Sequence, residues 1–185
     1  MALVRADLVS YADLQRMPDD GRQYELYDGE VRVVPSPTNR HQLVLQNLFK
    51  ELSSHQQRHG GRVLFAPSDV VLSEYNVIQP DLLYFTEDRR HLVRLDEPTR
   101  AAPDLTVEVV SPGSSADDRG RKQALCARFG VREYWLVDPF EETLEIFVLG
   151  ATGYQRAQIA LPGDVAASPT IDALRVATDH LFDLG

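Results

Sequence analysis

The chain has 185 residues, 43% of them hydrophobic and 25% charged, fractions that suit one folded domain and exclude disorder as the dominant state. A single cysteine, Cys126, excludes an intramolecular disulfide and a Cys-based zinc site. No apolar run reaches the roughly 20 residues of a membrane span, and the start MALVRADLVS has no signal-peptide core, so a soluble, cytoplasmic protein is expected. The net charge of −9 argues against a general nucleic-acid coat protein.

Residues 10–17 (SYADLQRM) predict a short helix with Ser10 as N-cap. QYELY and EVRVV alternate around Asp28-Gly29, the signature of a hairpin, which Pro35 and Pro37 end. From Thr38 or Asn39 to about Arg58, Leu43, Val44, Leu48, Phe49 and Leu52 recur at three- and four-residue spacing. That pattern predicts an amphipathic helix closed by Gly60-Gly61. VLFA, DVVLS and DLLYF read as short strands separated by Pro67, Ser68 and an EYN turn. LTVEVVS is a nearly continuous apolar run, the mark of a strand buried on both faces. SSADDRGRKQALCARFG predicts a helix with Ser115 and Asp118 as a capping pair and Gly130 at its stop, and REYWLVD another strand. Residues 105–138 are therefore a βαβ crossover with two parallel strands. TLEIFVL and YQRAQIA form a last hairpin through Gly150 and Gly153. No linker, repeat or block of like charges divides the chain, so residues 1–185 read as one domain of α/β or α+β class, a mixed sheet carrying helices.

Three residues stand out chemically. Glu108 sits at the centre of an apolar strand, where an ionised carboxylate costs several kcal/mol unless it is paired or binds metal. A salt bridge to a neighbouring Arg, or a strand facing water, is the structural alternative. Asp104 and Thr106 share its face, while Leu105, Val107 and Val109 point the other way. Asp81 follows Pro80 and so begins a strand. Taken alone it is a common turn residue, yet a loop can bring it beside Glu108, and two such carboxylates suit a hard divalent cation. Lys122 lies on the following helix, where it shares a face with Cys126 and Phe129 and can reach back over the strand. It is one of only two lysines against 17 arginines. Asp104 is no partner for Glu108, being about 13 Å away along the same strand.

Pro-Asp, a buried-strand Glu and a following Lys resemble the PD-(D/E)XK nuclease constellation, with one departure. Val110 stands where the Lys is usual, and Lys122 would supply it from the helix. The ordered blocks YELYDGEV, PSP, QPDLLYF, APDLTVEVVSPGSSADD and FGVREYWLVDP further resemble the Uma-two restriction-endonuclease family, from about Tyr24 to Tyr154. The resemblance implies a restriction-endonuclease-like mixed sheet flanked by helices. It divides the domain into a core of about 24–154, the helix at 10–17 and a C-terminal extension at 155–185. It also implies Asp81 and Glu108 as metal ligands and Lys122 as the catalytic cation. Glu25 and His41 match recurrent family positions, Glu25 as a further metal-binding or water-positioning carboxylate and His41 as a phosphate contact or proton relay. A hairpin surface charge and a helix-start hydrogen bonder are their bland alternatives. Cys126 stands where relatives often carry Tyr, and a buried small hydrophobe is expected there.

The function this implies is a metal-dependent DNA endonuclease, with Mg2+ (Mn2+ as the alternative ion) on Asp81, Glu108 and the main-chain carbonyl of Val109. The expected partners are DNA, held weakly and salt-sensitively, and a second copy of the chain in a homodimer. Charge does not forbid this, because residues 115–132 are +3 and leave −12 to the rest. The competing reading is a nuclease-fold module without chemistry, a scaffold or accessory protein. A Ser or Cys hydrolase is excluded by the absence of any nucleophile elbow.

Overall fold

The computed structural model describes residues 8–111 and 116–185, with side chains for 8–111 and 120–185. α1 (Tyr11–Leu14) is one turn, with Ser10 and Asp13 forming a reciprocal capping box. It is shorter than the 10–17 of the sequence pattern, because Met17 precedes Pro18 and a residue before proline is pushed out of helical backbone. β1 (Gln23–Tyr27) and β2 (Glu30–Val34) pair antiparallel through Asp28 and Gly29, whose φ values of 50° and 81° are those of a two-residue hairpin turn. α2 (Asn39–His59) starts at Thr38, whose hydroxyl accepts the His41 N–H, and buries Val44, Leu48 and Leu52.

The middle of the chain is mostly strand: β3 (Arg62–Phe65), β4 (Val70–Ser73), β5 (Asn76–Ile78), β6 (Leu82–Phe85) and β7 (Leu105–Val109). α3 (Ala116–Arg128) leads to β8 (Glu133–Asp138), β9 (Thr143–Gly150) and β10 (Gly153–Ala160). β11 (Val165–Ala167), β12 (Arg175–Ala177) and α4 (Thr178–Phe182) follow. The Ser115–Asp118 capping pair lies outside the described residues and side chains.

Six strands form one sheet in the order β10-β9-β8-β7-β6-β3. Every neighbour is antiparallel except β7–β8, which α3 joins as the parallel crossover. The N-terminal hairpin does not extend this sheet. It forms a second one, β2-β1-β5-β4, and Asn76, in the stretch that reads as a turn, opens β5. β5 has three residues, too few for a readable alternation, and its first side chain accepts the Asp28 N–H at 2.9 Å, which ties it to the hairpin.

Alternation along β7 sorts the interior. Leu105, Val107 and Val109 pack with α2 and α4 on one face of the six-stranded sheet, in a cluster with Val44, Leu48, Leu181 and Phe182. On the opposite face Leu125 and Cys126 of α3 pack with Leu83, Phe85, Tyr134 and Ile78. Burying each of these large side chains contributes about 1.5–3 kcal/mol. Cys126 is fully buried, and that burial raises its thiol pKa, consistent with a packing role.

Two fully buried carboxylates are structural. Asp104 Oδ1 accepts from Arg89 at 2.6 Å, and its Oδ2 accepts from Thr86. Glu133 accepts from the Trp135 indole at 2.8 Å, the Thr170 N–H at 2.7 Å and the hydroxyls of Ser168 and Thr170. It thereby pins the 168–170 loop to β8. Glu133→Gln should cost about 1–3 kcal/mol in chemical denaturation, since an amide NH2 cannot accept from that many donors.

Candidate active site

The site forms where β6 has ended and β7 continues. Leu82 lies opposite Val107, so the register sets Pro80 opposite Val109. Proline has no N–H to give the ladder, which leaves the facing Val109 carbonyl without that donor, while the Asp81 side chain takes the Val109 N–H, its Oδ2 accepting at 2.7 Å. In a strand the N–H and C=O of one residue point the same way. The Val109 carbonyl therefore also faces the Asp81 side. His41, in the first turn of α2, puts Nε2 3.2 Å from Asp81 Oδ1 and Nδ1 2.9 Å from Ser111 Oγ.

Lys122 closes the other half. Its Nζ is 2.9 Å from Glu25 Oε1 and 3.0 Å from Glu108 Oε2, with all three side chains at least 85% buried. Val110 shares the Glu108 face, and the ammonium arrives instead from α3, fourteen residues on. Glu25 is fully engaged: Oε1 also accepts the Gln79 N–H at 2.7 Å, and Oε2 accepts the Tyr27 hydroxyl at 2.7 Å. Glu108 is not. Its Oε1 is buried with no hydrogen-bond partner among the described residues, as is the nearby Tyr134 hydroxyl.

Burial pushes the Glu108 carboxyl up to about 8; Lys122 opposes that shift, and the Asp81 and Glu25 carboxylates reinforce it. Burial works to deprotonate Lys122, but Glu108 and Glu25 outweigh it and hold the ammonium well above its usual range. Burial raises the Tyr27 and Tyr134 phenols as well, so both stay neutral donors.

Glu25, His41, Asp81, Glu108, Val109 and Lys122 all line one cleft of about 550 Å³. The structure thus brings together every residue singled out in the sequence. Tyr27, Gln79, Ser111 and Tyr134 also line it without having stood out. Tyr27 carried a usable signal, because it is two residues from Glu25 on one strand and so on the same face. Gln79 acts through its peptide N–H, which side-chain identity does not reveal.

Among the described residues no group of three His, Cys, Asp or Glu is gathered as a complete metal cage. A hard cation such as Mg2+ needs less, since it keeps several waters and binds through one or two carboxylates plus phosphate oxygens. Asp81, Glu108 and the Val109 carbonyl are an all-oxygen set of that kind, and the partnerless Glu108 Oε1 is the atom that a cation would satisfy.

A cation held by Glu108 would need that carboxyl deprotonated, so any Mn2+ affinity there should rise about tenfold per pH unit below 8 and level off above it. The carboxyl is raised from 4.5, so the folded state binds its proton more tightly than the unfolded state does. Its contribution to apo stability therefore falls as pH rises between 4.5 and about 8. Calorimetric titrations at several pH values, with Glu108→Gln removing both trends, test this.

A six-stranded mixed sheet with a βαβ crossover, bearing acidic side chains at the ends of β6 and β7 and a lysine on the crossover helix, is a nuclease-type fold. A solved structure described as a "putative nuclease belonging to DUF820" from Anabaena variabilis ATCC 29413 shares it. Its TM-score is 0.79 at 18% sequence identity, over 95% of this chain and 98% of that one. Residues 11–179 match the Uma2 family, described as "Putative restriction endonuclease", and the chain belongs to that family. No curated protein matches it.

Proposed function

We propose that this protein is a divalent-metal-dependent phosphodiesterase that hydrolyses DNA. The observation that carries the proposal is the pairing of Asp81 with a buried, partnerless Glu108 oxygen in a cleft where the deeply buried ammonium of Lys122 lies beside them, among the described residues. Family membership and the shared fold support the same reading.

In this reading Asp81, Glu108 and the Val109 carbonyl hold Mg2+ or Mn2+. A cation bound there supplies Lewis-acid stabilisation to the phosphoryl oxygens. A water oxygen attacks phosphorus in line and the bond to the leaving oxygen breaks; the water gives up both protons to solvent, and the leaving oxygen takes one back to depart as an alcohol. Lys122, its ammonium favoured by Glu108 and Glu25, orients the attacking water and stabilises charge developing on the phosphate. Glu25, with both oxygens committed to Tyr27, Gln79 and Lys122, aims the ammonium and is a positioning residue. His41, between Ser111 and Asp81, orients the Asp81 carboxylate. The competing reading, a nuclease fold without chemistry, draws on Val110 standing at the usual lysine position and on the acidity of the chain; the contact of Lys122 with Glu108 supports the catalytic reading.

Plasmid nicking tests the proposal. Cleavage should require Mg2+ or Mn2+, stop on chelation and be lost in Asp81→Asn and Lys122→Ala. Undiminished cleavage by both folded variants would overturn the assignment.

A further inference from the structure

The walls of the cleft say which form of DNA it takes. Above the carboxylates the lining turns apolar. The hairpin contributes Val33, Val34 and Pro35, and the segment after β3 contributes Phe65 and Pro67. Val33 and Phe65 remain 51% and 58% exposed, far more than the interior tolerates for such side chains. Phe65 pairs with Leu82 at the strand end and lines the same cleft as Asp81 and Glu108. Phe49 supports that ring edge-on at 5.2 Å between centroids, which holds it as a fixed platform.

Among the described residues this lining offers few of the cations that duplex DNA needs. Duplex presents its phosphates and sugars outward and its base faces inward, and its affinity comes from several phosphate–cation contacts. Among the described lining residues the lysine and arginine side chains are Lys122, held between Glu25 and Glu108, and Arg32, which pairs with Glu30 at 2.8 Å through one nitrogen in a half-exposed contact. Apolar contact has to supply what charge does not. The partner that offers an apolar face beside a phosphate is a nucleotide whose base is unstacked, and base–aromatic stacking contributes about 1–3 kcal/mol per base without regard to sequence.

Resting on the phosphodiesterase reading above, we propose that the cleft takes unpaired DNA, with a base adjoining the scissile phosphate stacked on Phe65. Paired DNA enters only where it frays or opens. Because the described lining neutralises few phosphates, binding should depend on salt less steeply than the salt-sensitive hold expected from the sequence, with a slope near that of one or two contacts at about −0.7 each.

The test compares one end-labelled oligonucleotide as a single strand, as a full duplex and as a duplex with a central unpaired bubble. Cleavage is followed in Mn2+ and binding in Ca2+, for the wild type, Phe65→Ala and Phe65→Trp. The expected result is cleavage of the single strand and the bubble at least about tenfold faster than the duplex. Phe65→Ala should raise KM about tenfold with kcat little changed, Phe65→Trp should restore it, and Mn2+ affinity should be equal in all three. Duplex cut as fast as single strand overturns this inference and leaves the phosphodiesterase reading intact, as does a single-strand preference that Phe65→Ala does not alter. If no form is bound or cut, both fall together.

Discussion

Lys122→Ala should abolish the proposed cleavage and also make the protein easier to unfold, by about 3–5 kcal/mol. The two effects share one cause. In the intact protein the ammonium neutralises Glu25 and Glu108, both buried, at 2.9 and 3.0 Å. Without it two carboxylates face each other with little water, and the chain must protonate one of them or open. The loss should therefore be smallest in acid, where Glu108 keeps its proton, and grow as pH rises from the ordinary carboxylate range through the raised value of Glu108. Adding Glu108→Gln to Lys122→Ala should recover part of the stability and none of the activity, separating the structural role of the lysine from its chemical one. Lys122→Arg should not rescue, because a planar guanidinium cannot occupy the point between two carboxylates that a compact ammonium fills. The expected fall in cleavage is about 10²–10³-fold, the cost typical of removing one preorganised charge from a developing oxyanion. Thermal unfolding across pH, run beside a cleavage assay, measures both.

Asp81→Asn should show the opposite profile: a stable protein that has lost its cation. The amide oxygen of Asn can still accept the Val109 N–H that Asp81 Oδ2 takes at 2.7 Å, so the β6–β7 junction holds and stability should change by no more than about 1 kcal/mol. The ligating charge disappears, and with it the favourable approach of a divalent ion. Mn2+ affinity and cleavage should both drop by at least about 100-fold. His41→Ala, which leaves that charge in place and removes only its orienting contact, should fall between the wild type and Asp81→Asn.

The site was unusually legible in the sequence because its residues violate local rules. A glutamate in an apolar strand, an aspartate behind a proline at a strand entry, and a lysine in an arginine-rich chain each need a physical reason, and one cleft supplies it for all three. Glu133 shows the limit of that reasoning. It too is a carboxylate in an apolar strand, yet it is satisfied by Trp135, Ser168 and Thr170, partners up to 37 positions away that no local pattern announces. The βαβ crossover was readable because hydrophobic runs and a helical period flank it closely. The split into two sheets was not, since β5 is three residues long and meets β1 through the single pair Leu26–Val77. Nor was Phe65 as a cleft residue, because burial or exposure of a strand-end aromatic depends on what packs beside it.

The central claim is that a cation binds between Asp81 and Glu108. Anomalous X-ray scattering from a crystal soaked in Mn2+ at pH 8 tests it most directly. One strong peak is expected in contact with an Asp81 oxygen, Glu108 Oε1 and the Val109 carbonyl, absent from an Asp81→Asn crystal soaked in the same way. A peak elsewhere in the protein with this position empty, or an undiminished peak in Asp81→Asn, would contradict it.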